Sequence, residues 1–175
     1  MPKVGVKASV PAAESAEERL TALLLKQEAI EYIRQLARFL DEFQVGRFVE
    51  EFLDGGHYRL IPRDNYEAGH PVCLIDDSKK RLRYRQKIIE KHWHYEKFQE
   101  RRILSPVSVE VDGGSKATVL TNFAIFLTDI HGHSRLHLCG TFEDELRRVE
   151  GRWRINTRKA VLDSYLPDFA IVLPP

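Results

Sequence analysis

Residues 135–162, RLHLCGTFEDELRRVEGRWRINTRKAVL, decide the fold. Two β-prone runs, Arg135 to Val149 and Arg152 to Leu162, meet at Glu150-Gly151, which reads as a tight hairpin. Working outward, Ala117 to Thr128 is another long β-prone run, and Asp129-Ile130-His131-Gly132-His133 turns the chain after it. Val107-Ser108-Val109-Glu110-Val111 alternates ahead of an Asp112-Gly113-Gly114 turn. The second half is therefore a meander of long antiparallel strands.

The first half has a different period. From Glu14 to Phe43 the apolar residues Leu20, Leu23, Leu24, Ile30, Ile33, Leu36, Ala37, Leu40 and Phe43 fall at helical spacing. Ser15 followed by Glu18 matches a capping box, and Gly46 falls just past the expected helix end. A shorter helix is expected over Arg47 to Leu53, stopped by Asp54-Gly55-Gly56, and a strand over His57 to Pro62. Residues 63–77 read as a long loop with one short strand at Pro71 to Ile75. Ser78 is placed to cap a basic helix running from Lys79 to about His94, with Leu82, Ile88, Ile89 and Trp93 as its apolar set. Helices first and a strand meander after them predict an α+β fold, with the helices on one face of a curved sheet. No internal repeat or linker divides the chain, so residues 1–14 are expected as a flexible arm and 15–175 as one domain.

Composition narrows the function. The 175 residues are 43% hydrophobic and 30% charged, with a formal net charge of +1. That balance gives no reason to expect nucleic acid or an anionic membrane as partner. No apolar run approaches the ~20 residues that cross a bilayer, and the first residues lack the layout of a secretory signal. Cys73 and Cys139 are expected as free thiols in a reducing cytoplasm.

Several words, taken in order, resemble the small (beta) subunit of aromatic-ring-hydroxylating dioxygenases. They are Leu40-Asp41-Glu42-Phe43, Phe52-Leu53-Asp54-Gly55-Gly56-His57-Tyr58, the basic helix ending in Trp93, and Arg101-Arg102-Ile103-Leu104-Ser105. Thr121-Asn122-Phe123, Gly140 to Arg147, Trp153-Arg154-Ile155, Lys159 to Asp163 and Phe169 to Leu173 continue the series. The resemblance covers roughly residues 20–173. It departs from many family members at Ile103 and Pro106, where they carry His and Asn. The branch it is most similar to acts on anthranilate, halobenzoate or salicylate.

The resemblance implies a cone-shaped, cystatin-like or nuclear-transport-factor-like fold. It also implies a subunit with no catalytic, cofactor or metal residues of its own. The Rieske iron–sulfur cluster and mononuclear iron would belong to a large (alpha) subunit. The small subunit would trimerise, hold three large subunits in an α3β3 assembly, and meet a ferredoxin or reductase only indirectly.

The residues themselves offer few catalytic constellations. A Rieske centre needs Cys-x-His and Cys-x-x-His pairs, and neither Cys73 nor Cys139 has a His in place. A mononuclear iron site needs two His and a carboxylate. His92-Trp93-His94-Tyr95-Glu96 and His131-Gly132-His133 with His137 are the close sets, the first at a helix end and the second on a turn. The cone fold also hosts isomerases, dehydratases and cyclases that use a cavity acid or base. Asp54, His57, Tyr58 and Tyr66 are the residues to inspect for such a role. The basic run Lys79 to Lys87, with Tyr84 for stacking, reads as a solvated helix or a protein interface rather than a nucleic-acid site. It could meet Glu143-Asp144-Glu145 of a neighbouring copy. The apolar tail Tyr165 to Pro175 is expected to dock along an edge of the chain's own sheet or near a subunit interface.

Overall fold

In the computed structural model the described residues are 15–92, 98–164, 171 and 173–175. The arm expected over residues 1–14 lies outside them. The long helix α1 (Ala16–Asp41) starts at the capping box: the Ser15 hydroxyl accepts from the Glu18 amide at 3.1 Å, and the Glu18 carboxylate accepts from the Ser15 amide at 2.8 Å. Its buried stripe is Ala29, Ile33, Leu36 and Leu40. The chain reverses at Phe43, which takes φ 55°, and not at Gly46. Gly46 lies inside the next helix, α2 (Val45–Glu50), where a Cβ would stand 2.7 Å from the Gln86 side-chain amide.

Strand β1 (Phe52–Pro62) then begins five residues earlier than expected. Asp54-Gly55-Gly56 is no turn before the strand. It is a bulge within it, between Phe52 and His57, and a Cβ on Gly56 would lie 2.8 Å from the Leu53 carbonyl. A short helix, α3 (Arg63–Glu67), occupies part of the expected loop, and β2 (Ile75–Ser78) overlaps the expected short strand only at Ile75. The basic helix is α4 (Lys79–His92), with Leu82 facing the core.

The meander is present as β3 (Gln99–Asp112), β4 (Lys116–Thr128), β5 (Ser134–Val149) and β6 (Arg152–Leu162). Glu150 and Gly151 both take positive φ, 50° and 76°, the left-handed pair of a type I′ hairpin. The sheet order is β2-β1-β6-β5-β4-β3, and the β1–β6 pair is parallel. The sheet is thus mostly, not wholly, antiparallel: the last strand slots between β1 and β5, a neighbourhood that local patterning cannot report. Register shifts interrupt the β1–β6, β3–β4, β4–β5 and β5–β6 pairs, and bulges of this kind bend a sheet and raise its twist. The helices cover the inner face, and the core lies between them and Val119, Phe123, Ile125, Phe142, Leu146 and Ile155.

One close approach fixes β5 against β6. A Cβ on Gly140 would fall 2.0 Å from the Val161 carbonyl oxygen, a backbone atom with no freedom to step aside. Gly140→Ala is expected to cost about 2–3 kcal/mol, in the upper range for overpacking. Thermal unfolding of the purified variant checks it, and an unchanged Tm would mean that the two strands can part at no cost.

Candidate functional site

Along the inner face of the sheet the register lines up four polar residues. Asp77 on β2 pairs with Tyr58 on β1, Tyr58 with Arg158 on β6, and Arg158 with Asp144 on β5. All four are buried. Arg158 and Asp144 form a two-pronged ion pair, Nε to Oδ1 at 2.6 Å and Nη2 to Oδ2 at 2.9 Å. The guanidinium lies over the Phe142 ring at 4.6 Å, and Phe142 stacks on Phe123 at 4.1 Å. Burial works against the Arg158 charge, but Asp144 outweighs it and leaves the pKa above the usual arginine value.

Tyr58 has no hydrogen-bond partner for its hydroxyl among the described residues. Burial pushes its phenol above the usual tyrosine range, against the pull of Arg158, Arg102 and Arg85. The phenol therefore stays protonated at ordinary pH and offers no base. A carboxylate clamped by arginine and a neutral phenol among packed aromatics hold strands together.

The other residues singled out from the sequence do not join Tyr58. His57 is its neighbour in the strand and so faces the opposite side. There its Nε2 bonds Asp76, with Arg59 Nε 3.4 Å from the same oxygen. The His57 hydrogen bond holds the Asp76 carboxyl below the usual range. Asp54 stands in solvent on the β1 bulge, 3.6 Å from Lys79. Tyr66 projects from α3 and donates to Glu143. His131 and His133 sit exposed on the β4–β5 turn, whose loop is closed by Asp129 accepting from both their amides. His137 is instead on β5, 4.0 Å from Glu100. His94 and Glu96 lie outside the described residues, as does the His92 side chain. Among the described residues, no group of three or more His, Cys, Asp or Glu is arranged to hold a metal. Cys73, in the loop before β2, and Cys139, on β5, are free thiols.

The charged runs also find partners inside the chain. Arg83 grips Glu50 with two bonds of 2.8 Å, and Lys79 is buried beside Glu50 and Asp54. Arg81 and Arg85 share Asp77, and Asp144 is committed to Arg158. The expected match between Lys79–Lys87 and Glu143–Glu145 of another copy therefore loses most of its charge to intramolecular pairs.

A second buried network went unseen in the sequence. Arg102 on β3 donates to Asp41 at the end of α1 (2.9 Å), to Glu100 (2.7 Å) and to the Pro174 carbonyl (2.8 Å). Burial pushes the Glu100 carboxyl up, opposed by Arg102. Leu173, Pro174 and Pro175 are buried, so the end of the tail docks against β3, the edge strand of the chain's own sheet. Residues 165–170 and 172 of the tail lie outside the described residues.

Comparison with known proteins places these features in company. The model of the SnoaL-like domain matches residues 22–159. Terephthalate 1,2-dioxygenase terminal oxygenase component subunit beta 1 from Comamonas sp is 25% identical over 139 residues, 79% of this chain and 90% of that one. The anthranilate 1,2-dioxygenase small subunit of Burkholderia cepacia is 21% identical over 126 residues, 71% of this chain and 78% of that one. Among solved structures, a Novosphingobium aromaticivorans protein assigned as the beta subunit of an aromatic-ring-hydroxylating dioxygenase superimposes with a TM-score of 0.77 at 20% identity. That match covers 88% of this chain and 98% of the other. The cone fold expected from the sequence is the fold observed.

Proposed function

The chain belongs to the SnoaL-like domain family, and from that premise we propose that it is the small subunit of the terminal oxygenase of an aromatic-ring-hydroxylating dioxygenase. Its task in this reading is assembly. It binds and steadies large subunits that carry a Rieske cluster and a mononuclear iron, in a cytoplasmic α3β3 complex fed with electrons by a ferredoxin or reductase. The oxygen chemistry takes place in the partner. The substrate is a benzoate-type aromatic, in line with the terephthalate and anthranilate dioxygenases whose small subunits it resembles.

The observation that carries this reading is the state of the cone interior. A stand-alone isomerase, dehydratase or cyclase on this fold needs an acid or base facing its substrate. Here Asp144 is locked on Arg158, and the neighbouring Tyr58 phenol is buried and protonated. A Rieske cluster is equally unsupported by this sequence, because neither Cys73 nor Cys139 has the His that a Cys-x-His or Cys-x-x-His pair requires.

The test is co-expression with a Rieske-type large subunit from the same organism, followed by light scattering and by oxygen uptake on a panel of benzoates. The expected result is a defined hetero-hexamer, with uptake only when both chains are present. Turnover of a small carbonyl or aromatic compound by this chain alone would overturn the reading in favour of a cone-fold isomerase, dehydratase or cyclase.

A further inference from the structure

Beside α4 the surface holds a cleft of about 720 Å³, within the range of small-molecule sites. One part of its wall is apolar: Ile88, Ile89, Ile171 and the ring of Tyr84. Tyr84 and Ile88 are 69% and 38% exposed, so neither has a settled place in the core. The other part is cationic, with Lys80, Arg81 and Arg85 around Asp77, the one carboxylate among the lining residues.

Asp77 is 2% exposed and divided between two guanidiniums. Arg81 Nε lies 3.1 Å from one oxygen, and Arg85 Nε and Nη2 lie 2.9 and 2.8 Å from the other. Lys80 is exposed and has no acidic partner among the described residues. The cleft therefore keeps a positive excess, at the start of a helix whose first turn holds no acid and whose dipole already favours an anion. Behind Asp77 stands its register partner Tyr58, a fully buried phenol without a partner among the described residues. The charge of Arg85 reaches that phenol as well as the cleft.

We propose that this cleft binds a small amphipathic carboxylate, its aromatic or branched body against Tyr84, Ile88, Ile89 and Ile171 and its carboxylate beside Lys80 and Arg81. An anion with no apolar body leaves the isoleucines in water, and an uncharged aromatic leaves the cationic wall unused. The ligand class follows from needing both halves.

The experiment titrates the full chain, without any large subunit, with 2-naphthoate by calorimetry at low ionic strength. Saturable one-to-one binding is expected. 2-Naphthamide and inorganic phosphate, each lacking one half of the match, should bind at least about tenfold more weakly. Lys80→Glu and Lys80→Ala alter an exposed, unpaired side chain and should keep the wild-type Tm. They should weaken naphthoate binding about tenfold and about threefold, an effect that added salt erodes. No saturation at millimolar naphthoate, equal binding of the amide or of phosphate, or wild-type affinity in Lys80→Glu would each overturn the proposal. Because the partner is absent from this titration, its outcome leaves the assembly reading where the co-expression experiment puts it.

Discussion

Arg158→Ala is expected to lower the stability of the isolated chain by about 3–5 kcal/mol, the usual cost of breaking a buried ion pair from one side. For a domain of this size that corresponds to a fall in Tm of roughly 10 °C or more. The reason lies in what is left behind. Asp144 is fully buried and takes two bonds from Arg158, so removing the arginine strands a carboxylate with no water to receive it. The cavity left between Phe142 and Phe48 adds to the loss. The double variant Arg158→Met with Asp144→Leu removes both charges at similar volume and should recover most of the difference. Tyr58→Phe is the contrast. It deletes a hydroxyl with no partner among the described residues and should cost little. Thermal and denaturant unfolding of the four proteins checks the set. A wild-type Tm for Arg158→Ala would mean that the interior admits water, and the argument against a catalytic cone would fall with it.

The same pair shows why part of the structure was legible and part was not. Features set by neighbours in sequence were readable: the capping box at Ser15, the helical stripe of α1, and the Glu150-Gly151 hairpin. Features set by distant pairing were not, above all the parallel contact of β1 with β6. Inward-facing charge misled the pattern reading as well. β3 runs from Gln99, yet only Val107 to Val111 reads as a strand, because Glu100 and Arg102 occupy buried positions where apolar residues would be sought. Asp77, read as loop, is a buried strand residue for the same reason.

Sequence order alone groups Asp144 with Glu143 and Glu145, as one acidic patch. The signal that places it inside is phase: it continues the inward series Leu138, Gly140, Phe142 and is followed by Leu146. In β6 the phase breaks where Glu145 and Leu146 pair with Thr157 and Ile155. Trp153 and Ile155 face inward before that shift, and Arg158 and Ala160 after it. No rule of two carries through such a bulge. The candidate site failed to assemble for a simpler reason. His57 and Tyr58 are adjacent in one strand, and adjacent strand residues cannot share a cavity.

Arg102→Ala should produce an effect of similar size, about 3–5 kcal/mol, with a signature that separates it from Arg158. Arg102 is the common donor to Asp41 at the end of α1, to Glu100 within β3 and to the Pro174 carbonyl. Its loss therefore takes from Glu100 its one short charge-assisted bond and unlatches Leu173, Pro174 and Pro175 together. The Arg102 amide still donates to Asp41, so that carboxylate keeps a partner. Glu100 keeps only the more distant His137, 4.0 Å away, and the sign of its titration follows. Burial already raises its carboxyl, and removing the cation that opposes burial raises it further.

A carboxyl whose folded pKa lies above its unfolded value, near 4.3, destabilises the fold most at pH above the folded pKa. The penalty fades as pH falls toward the unfolded value. The Tm gap between wild type and Arg102→Ala should thus be widest near neutral pH and should narrow as pH falls toward about 4.5. Adding Glu100→Gln should close much of the gap at neutral pH and flatten its pH dependence. The latch has its own readout: the Leu173 amide should exchange its hydrogen faster in Arg102→Ala than in wild type or in Arg158→Ala. A gap independent of pH would remove Glu100 from the account, and equal exchange would show that the tail is held by the burial of Leu173 rather than by the arginine.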